Sequence, residues 1–119
     1  MANVMIIAQK EPGQENQVGI LEVTSVSNQV HVAVSGSIYA EDAAEMLKKF
    51  IGYFEKGHTS FLVDLSAVDY VDSFGLGVLY FIHNRAAEKG GKLSLKGLRG
   101  LVRELFELIR LDKIIEIQQ

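Results

Sequence analysis

The chain has 119 residues, 48% of them hydrophobic and 23% charged, which is the composition of a single globular domain and not of a disordered chain. It contains no cysteine, which excludes disulfide bonds, thiolate zinc sites and cysteine nucleophiles and fits a reducing compartment. Its net charge is −3 with 12 basic residues, so no direct nucleic-acid partner is expected, because phosphate binding requires clustered positive charge.

The first 19 residues are predicted to form an N-terminal arm or linker, 1–19, and the compact domain is predicted to cover 20–119. Residues 9–19 are mostly polar and contain Pro12, the only proline, which indicates a loop. Residues 1–8 are expected to add an extra strand or an ordered arm.

No membrane segment is predicted. The apolar run at 4–8 lacks the charged region and the length of a signal peptide. No other run approaches the roughly 20 apolar residues that span a bilayer. We therefore expect a cytoplasmic protein without a membrane partner, and we expect that folding does not need residues 1–17.

The compact domain begins with a predicted β-hairpin. Residues 21–24 and 30–35 alternate apolar and polar side chains, which is the pattern of strands with one buried face. The polar residues 27–29 between them predict a tight turn. Gly36 is expected to end the second strand.

A helix is predicted over 41–56, because apolar residues recur there at intervals of three and four. Glu41 and Asp42 in its first turn suit the positive end of the helix dipole, and Gly57 suits the position after its last turn. The predicted core-facing stripe comprises Ala43, Met46, Leu47, Phe50, Ile51 and Phe54.

Two further strands, two helical segments and a closing strand are predicted after this helix. Residues 60–65 are almost continuously apolar, which predicts a strand covered on both faces. A helix over 76–89 stops at two glycines, and residues 92–96 alternate as the next strand. A short strand at 113–117 closes the chain, after a third helical stripe that comprises Leu98, Leu101, Val102, Leu105, Phe106 and Ile109.

The predicted element order is a hairpin followed by α-β-α-β-α-β. Alternation of this kind predicts parallel strand pairs joined by helical crossovers. The expected fold class is therefore α/β, with a mixed β-sheet covered by helices mainly on one face. The order of the strands in the sheet cannot be read from periodicity.

The segment at 69–77, between the central strand and its helix, contains the most unusual residues. Ser73 is interpreted either as the N-cap of the helix, which contributes about 1 kcal/mol, or as an exposed phosphoacceptor near the positive end of the helix dipole. The two interpretations are compatible. Gly75 and Gly77 cost roughly 1 kcal/mol each relative to alanine in a helix, which indicates close approach by backbone or partner.

Other chemistries have weaker support. Asp64, Asp69 and Asp72 could form a phosphoaspartate or Mg²⁺ site, but they are more simply interpreted as loop and capping acids. The three histidines show no metal-ligand spacing, no G-x-S-x-G motif surrounds Ser73, and the glycines at 75 and 77 lack a P-loop lysine. We therefore expect no enzymatic activity, no metal site and no cofactor.

Two separated motifs carry a family resemblance. One is DLS at 64–66 followed by VDSFGLGVL at 71–79, and the other is LVRELFEL at 101–108 with LDKI at 111–114. At this separation they resemble the STAS domain family, and more specifically the bacterial anti-sigma factor antagonists. The resemblance covers about residues 20–119 and has the element order derived above.

The resemblance implies a protein-binding switch. In this family, the serine that matches Ser73 is phosphorylated by a kinase that is itself the anti-sigma factor, and a serine phosphatase reverses the modification. The unmodified form would bind the anti-sigma factor and thereby free the sigma factor. The implied partner surface comprises Ser37, Tyr39, Asp72, Ser73, Phe74 and Gly75.

Two positions depart from the family pattern. The family often has Gly-Glu-Leu-Asp after the second strand, whereas this chain has GSIY at 36–39, so Tyr39 replaces the usual acid. The residue after the phosphoserine is usually small, whereas here it is Phe74, which indicates either a different partner surface or a core position. The alternative function is a STAS subunit of a larger assembly, such as a stressosome-like complex or a lipid-transport apparatus.

Overall fold

The computed structural model describes residues 3–5, 19–26 and 29–118. Six strands and three α-helices follow one another in nearly the predicted order, with a short 3-10 helix at Leu111–Lys113. The elements are β1 (Asn3–Met5), β2 (Gly19–Val26), β3 (Gln29–Ile38), α1 (Ala40–Glu55), β4 (Ser60–Val71), α2 (Ser73–Glu88), β5 (Lys92–Lys96), α3 (Gly100–Leu108) and β6 (Glu116–Gln118).

The six strands form one mixed sheet in the order β1-β2-β3-β4-β5-β6. Strand β2 is antiparallel to both of its neighbours, β1 and β3; its pairing with β3 confirms the predicted hairpin, and β3 to β6 run parallel. Asn3–Met5 forms an edge strand, which confirms the extra strand expected within residues 1–8. The predicted loop at 9–19 lies outside the described residues, except for Gly19, which begins β2.

The hydrophobic core lies on one face of the sheet, where all three helices contribute to a single buried cluster. Along β3, Val30, Val32 and Val34 are buried, whereas the intervening side chains are partly exposed. This confirms the α/β class with helices mainly on one face. The prediction that 60–65 is covered on both faces holds only in part, because Leu62 is buried but Asp64 is partly exposed.

The helices bury narrower stripes than the sequence predicted. In α1, Tyr53 is buried while Ile51 is 41% exposed, because burial follows positions 43, 46, 50 and 53. In α3, Val102 and Phe106 are buried, and the predicted core residues Leu101 and Ile109 are exposed. A helix that lies on a sheet turns only its inner side toward the core, so apolar residues at the margin of that side stay in contact with solvent.

The end of β3 and the start of the closing strand differ from the predictions. Gly36 does not end β3; it adopts a positive φ of 95° within the strand, which continues to Ile38. The closing strand begins at Glu116 and not at residue 113, because the chain forms the 3-10 helix at Leu111–Lys113 before it.

In the described part of the chain, no helix has the length and hydropathy of a membrane span.

Strand β4 is twice as long as predicted and contains two irregularities. Its buried residues Leu65, Val68 and Val71 are spaced by three and not by two, because the pairing with β3 shifts twice. Each shift places one extra β4 residue against β3, as in a β-bulge. The pairs that bracket the first shift are Ala33–Asp64 and Ser35–Ala67, and those that bracket the second are Gly36–Val68 and Ser37–Tyr70.

Candidate functional site

The predicted site lies where β3 and β4 end side by side and the helices α1 and α2 begin. Ile38, the last residue of β3, pairs with Val71, the last residue of β4. The Asp72 N–H then donates a hydrogen bond of 3.0 Å to the Ile38 carbonyl. This parallel pairing places Tyr39 and Asp72 next to each other at one edge of the sheet.

Asp72, and not Ser73, is the N-cap of α2, which corrects one interpretation of the serine. The Asp72 Oδ1 accepts a hydrogen bond of 2.9 Å from the Gly75 N–H, and its carbonyl accepts one of 3.0 Å from the Leu76 N–H. An aspartate cap is as favourable as a serine cap and adds a negative charge at the positive end of the dipole. Ser73 therefore occupies the first helical position.

Ser73 lies exposed in the first turn of α2. A helix leaves its first four N–H groups without intrahelical partners; here the Asp72 N–H bonds to the Ile38 carbonyl and the Gly75 N–H to the Asp72 side chain. The N–H groups of Ser73 and Phe74 have no hydrogen-bond partner among the described residues. An anion on the Ser73 hydroxyl would lie close to these two donors and to the positive end of the dipole.

Three aromatic residues lie in the same region of the fold as this serine: Phe74 follows it in α2, Tyr39 follows β3, and Tyr70 lies near the end of β4. Phe74 is 53% exposed, which excludes the core position considered for it, and Tyr39 is 50% exposed. The ring centroids of Tyr39 and Tyr70 are 5.5 Å apart. Sequence reasoning did not select Tyr70, because its proximity to Tyr39 follows from the pairing of Tyr70 with Ser37 across β3 and β4.

The other two predicted residues, Ser37 and Gly75, are less exposed than Ser73. Ser37 is half-buried and pairs with Tyr70, so it lines the same edge of the sheet. Gly75 is buried, and a Cβ at this position would lie 2.8 Å from the Val71 Cγ1 and 2.9 Å from the Ile38 Cγ2. Gly75 therefore allows α2 to approach the ends of the strands.

Acidic side chains predominate at this edge. The Asp42 Oδ2 accepts a hydrogen bond of 3.1 Å from the Tyr39 N–H and so stabilises the start of α1. Glu41 is exposed beside it, and Asp72 caps α2. Asp69 is paired with Arg99 at 3.2 Å. Glu41, Asp42 and Asp72 therefore give this region negative charge.

The three aspartates considered as a receiver or magnesium site make separate contacts. Asp64 accepts a hydrogen bond of 2.9 Å from the Ser66 N–H, Asp69 pairs with Arg99, and Asp72 caps α2. In the described part of the chain, no group of three His, Cys, Asp or Glu side chains could hold a metal ion. Asp72 is therefore a capping acid as expected, whereas Asp64 and Asp69 lie within β4 and not in a loop.

The chain is similar to known regulators over most of its length. The family model described as "Mlab, STAS domain" matches residues 21–116. An anti-sigma-B factor antagonist from Bacillus subtilis is 30% identical over 97 residues, which cover 82% of this chain and 88% of that protein. Its counterpart from Listeria monocytogenes is 32% identical over 92 residues, covering 77% of this chain and 81% of that protein.

Solved structures show the same fold. The crystal structure of a Thermotoga maritima protein aligns with a TM-score of 0.77 at 28% identity and covers 82% of this chain and 84% of that one. An anti-sigma factor antagonist from Mycobacterium paratuberculosis aligns with a TM-score of 0.74 at 24% identity, over 92% of this chain and 89% of that one. Together with the family match over 21–116, these similarities establish that the chain belongs to the STAS domain family.

Proposed function

We propose that this STAS-domain protein is an anti-sigma factor antagonist that acts as a phosphorylation-controlled binding switch. In its unmodified form it binds a kinase-type anti-sigma factor, and it acts by binding and not as an enzyme. The observation that carries the proposal is the exposed Ser73 in the first turn of α2, beside the exposed aromatic side chain of Phe74. The names of the Bacillus and Listeria relatives support the same function.

The proposed binding region, here called the switch surface, comprises Ser37, Tyr39, Tyr70, Asp72, Ser73 and Phe74. Exposed aromatic side chains suit a protein interface, since they bury a large area with little loss of side-chain entropy. Tyr39 and Phe74 are each about half exposed, so a partner has aromatic surface to cover at the same strand ends that carry Ser73. The aromatic residue at position 39 takes the place of the acid that is usual in the family.

A phosphate on Ser73 would oppose binding and leave the fold intact. It adds about −1.5 to −2 charges at the centre of a surface that already carries Asp72 and Asp42. Burial of that charge without a partner costs several kcal/mol, and each 1.4 kcal/mol is about tenfold in affinity. We therefore expect phosphorylation to weaken binding by roughly two powers of ten or more. The start of α2 would tolerate the anion because the N–H groups of Ser73 and Phe74 have no partner among the residues that the structure describes.

The test compares partner affinity among Ser73 variants. The anti-sigma factor is captured from native cells on immobilised Ser73→Ala protein, identified by mass spectrometry and purified. Calorimetry then measures its affinity for wild type, phosphoprotein, Ser73→Ala and Ser73→Asp, with Ser60→Ala at the far end of β4 as the matched control. We expect Ser73→Ala and Ser60→Ala to bind like wild type, Ser73→Asp to bind weakly and the phosphoprotein to bind most weakly.

The purified anti-sigma factor with ATP should also place an acid-stable phosphate on Ser73, and a serine phosphatase should remove it. Equal affinities of the phosphoprotein and Ser73→Ala would refute the switch. An acid-labile phosphate on an aspartate would instead indicate a receiver-like protein. Unfolding curves of all variants confirm that each affinity refers to a folded protein.

A second candidate is a STAS subunit of a larger assembly, and one observation favours it. Leu101 and Leu108 lie seven residues apart on α3 and are exposed, and Ile109 beside them is also exposed. This apolar strip belongs to a different helix from the switch surface and would suit a second neighbour. Recovery of a stable multi-protein complex whose composition does not change with Ser73→Asp would favour the assembly.

A further inference from the structure

Among the described residues, the half of β4 that leads to the switch surface pairs with a neighbouring strand on one side only. Pairing of β4 with β3 continues to Val71, the last residue of the strand. On the other side, the pairing recorded with β5 ends at Asp64 and Lys96. Residues 66–71 therefore extend beyond the parallel pairing on the β5 side, and both irregularities of β4 lie in this stretch.

Arg99 contacts β4 at both irregularities. Its Nε donates a hydrogen bond of 2.6 Å to the Ser66 carbonyl, in the first shift of register. Its Nη2 lies 3.2 Å from the Asp69 Oδ1, in the second shift of register. The guanidinium of Arg99 thus contacts both places where β4 departs from regular pairing with β3.

The turn between β5 and α3 is shaped to bring Arg99 to this position. Gly97 has a positive φ of 79°, and a Cβ there would lie 2.7 Å from the Ser66 N and 2.8 Å from the Asp64 Oδ1. The backbone of the turn therefore lies directly against the first irregularity. Arg99 follows two residues later as the N-cap of α3, which anchors its backbone in the core-packed helix.

We infer that Arg99 is a positioning residue for the switch. By bonding to Ser66 and Asp69 it fixes the direction in which β4 delivers Asp72 and Ser73 to the surface, since a bulge bends the strand and leaves its extra residue without a partner in the ladder. The expected effect of Arg99 on partner binding rests on the proposed function. The expected effect of Arg99 on the order of β4 does not depend on that function, so the two claims can fail separately.

The first test needs no partner and uses amide hydrogen exchange on the whole chain. In Arg99→Ala, the amides of 66–72 should exchange about tenfold faster, the effect expected from loss of one hydrogen bond to a charged group. The Asp72 N–H, which is bonded to the Ile38 carbonyl, is the most direct reporter. Amides at 61–64, paired on both sides, and the denaturant midpoint should stay close to wild type.

Three variants separate positioning from a general loss of stability. Arg103→Ala, on the same helix and paired with Glu107 at 3.7 Å, is the matched control and should leave exchange at 66–72 unchanged. Asp69→Asn keeps the bond to Ser66 and should give an intermediate effect. Arg99→Lys can keep one of the two contacts and should restore part of the protection.

The second test uses the purified anti-sigma factor that is captured on Ser73→Ala protein. Arg99→Ala should bind it at least about fivefold more weakly, whereas Arg103→Ala should bind it like wild type. Unchanged exchange at 66–72 in Arg99→Ala, or exchange raised uniformly through the sheet together with a lower midpoint, would overturn the inference. Faster exchange at 66–72 with unchanged affinity would overturn the link to binding.

Discussion

Gly75 lies so close to Ile38 that a β-carbon on the glycine would be only 2.9 Å from the Ile38 Cγ2. The contact joins the first turn of α2 to the end of β3, and Val71 at the end of β4 lies equally near. Two structural elements that are far apart in the chain therefore meet beneath Ser73 without any side chain from position 75. The depth of this contact determines how far Ser73 projects from the sheet.

Gly75→Ala should destabilise the protein by about 1–2 kcal/mol, because overpacking outweighs the gain in helix propensity. Gly77→Ala is the matched control, since nothing lies within 4 Å of a Cβ at that exposed position. It should stabilise the protein by about 0.5–1 kcal/mol. Urea unfolding of both variants checks this pair. Equal effects of the two substitutions would show that α2 can move away from Ile38 without cost.

Phe74→Ala should weaken binding of the anti-sigma factor by about 2 kcal/mol, or roughly thirtyfold, as expected for a central aromatic residue of an interface. Its unfolding free energy should change by no more than about 0.5 kcal/mol, because the side chain is 53% exposed. Tyr80→Ala, also on α2 and 43% exposed, is the control and should bind like wild type. Calorimetry measures the affinities. Equal losses in both variants would place the interface along the whole helix.

Tyr53→Phe should leave stability unchanged or raise it by up to about 1 kcal/mol. The Tyr53 hydroxyl is buried without a hydrogen-bond partner among the described residues, so its removal abolishes a desolvation cost. Burial also raises the pKa of Tyr53 above its ordinary value of 10.0. The folded state then holds the proton more tightly, and wild-type stability falls as pH rises past that value. Thermal unfolding at neutral and alkaline pH should show this loss in wild type and a smaller loss in Tyr53→Phe.

Glu116→Gln should lower stability at neutral pH and change its acid dependence. Hydrogen bonds from the Ser94 hydroxyl and then from the Lys92 ammonium lower the pKa of Glu116 below its ordinary value of 4.5. A lowered pKa contributes stability above the ordinary value, and that contribution is lost as pH falls through the lowered pKa.

The difference in unfolding free energy between wild type and Glu116→Gln should therefore shrink between pH 7 and about pH 3. Denaturant midpoints at both pH values measure it. Glu104→Gln, an exposed acid on α3, serves as the control and should show no such convergence. A difference that stays constant with pH would mean that the carboxylate does not hold β6 to β5.

Local pattern was sufficient for much of the fold. Alternation predicted the hairpin, and spacing of three and four predicted α1 with Ala43 and Phe50 in the core. Periodicity reports which face of one element is buried, so it holds wherever a single element meets a single face. It was wrong about Ile51 and Leu101, because the width of a buried stripe depends on what packs against it.

The length of β4 could not be read from its residues alone. Leu65, Val68 and Val71 are apolar at every third position, which is neither a strand nor a helix period. Such a pattern indicates a strand with bulges only if a neighbouring strand is known to run alongside it. That neighbour is β3, whose place in the sheet is a property of the whole chain.

By itself the sequence determined the class of the fold and the order of its elements, because these depend on residues close together in the chain. The choice of Ser73 came from the family resemblance and stays a prediction. Tertiary structure alone decided that Asp72 caps α2, that Tyr70 joins Tyr39 and that Arg99 reaches Ser66 and Asp69. Each of these depends on pairing between elements, and the shifts of register in β4 set which side chains meet. Register is a long-range property, since one extra residue in a strand turns every following side chain to the other face.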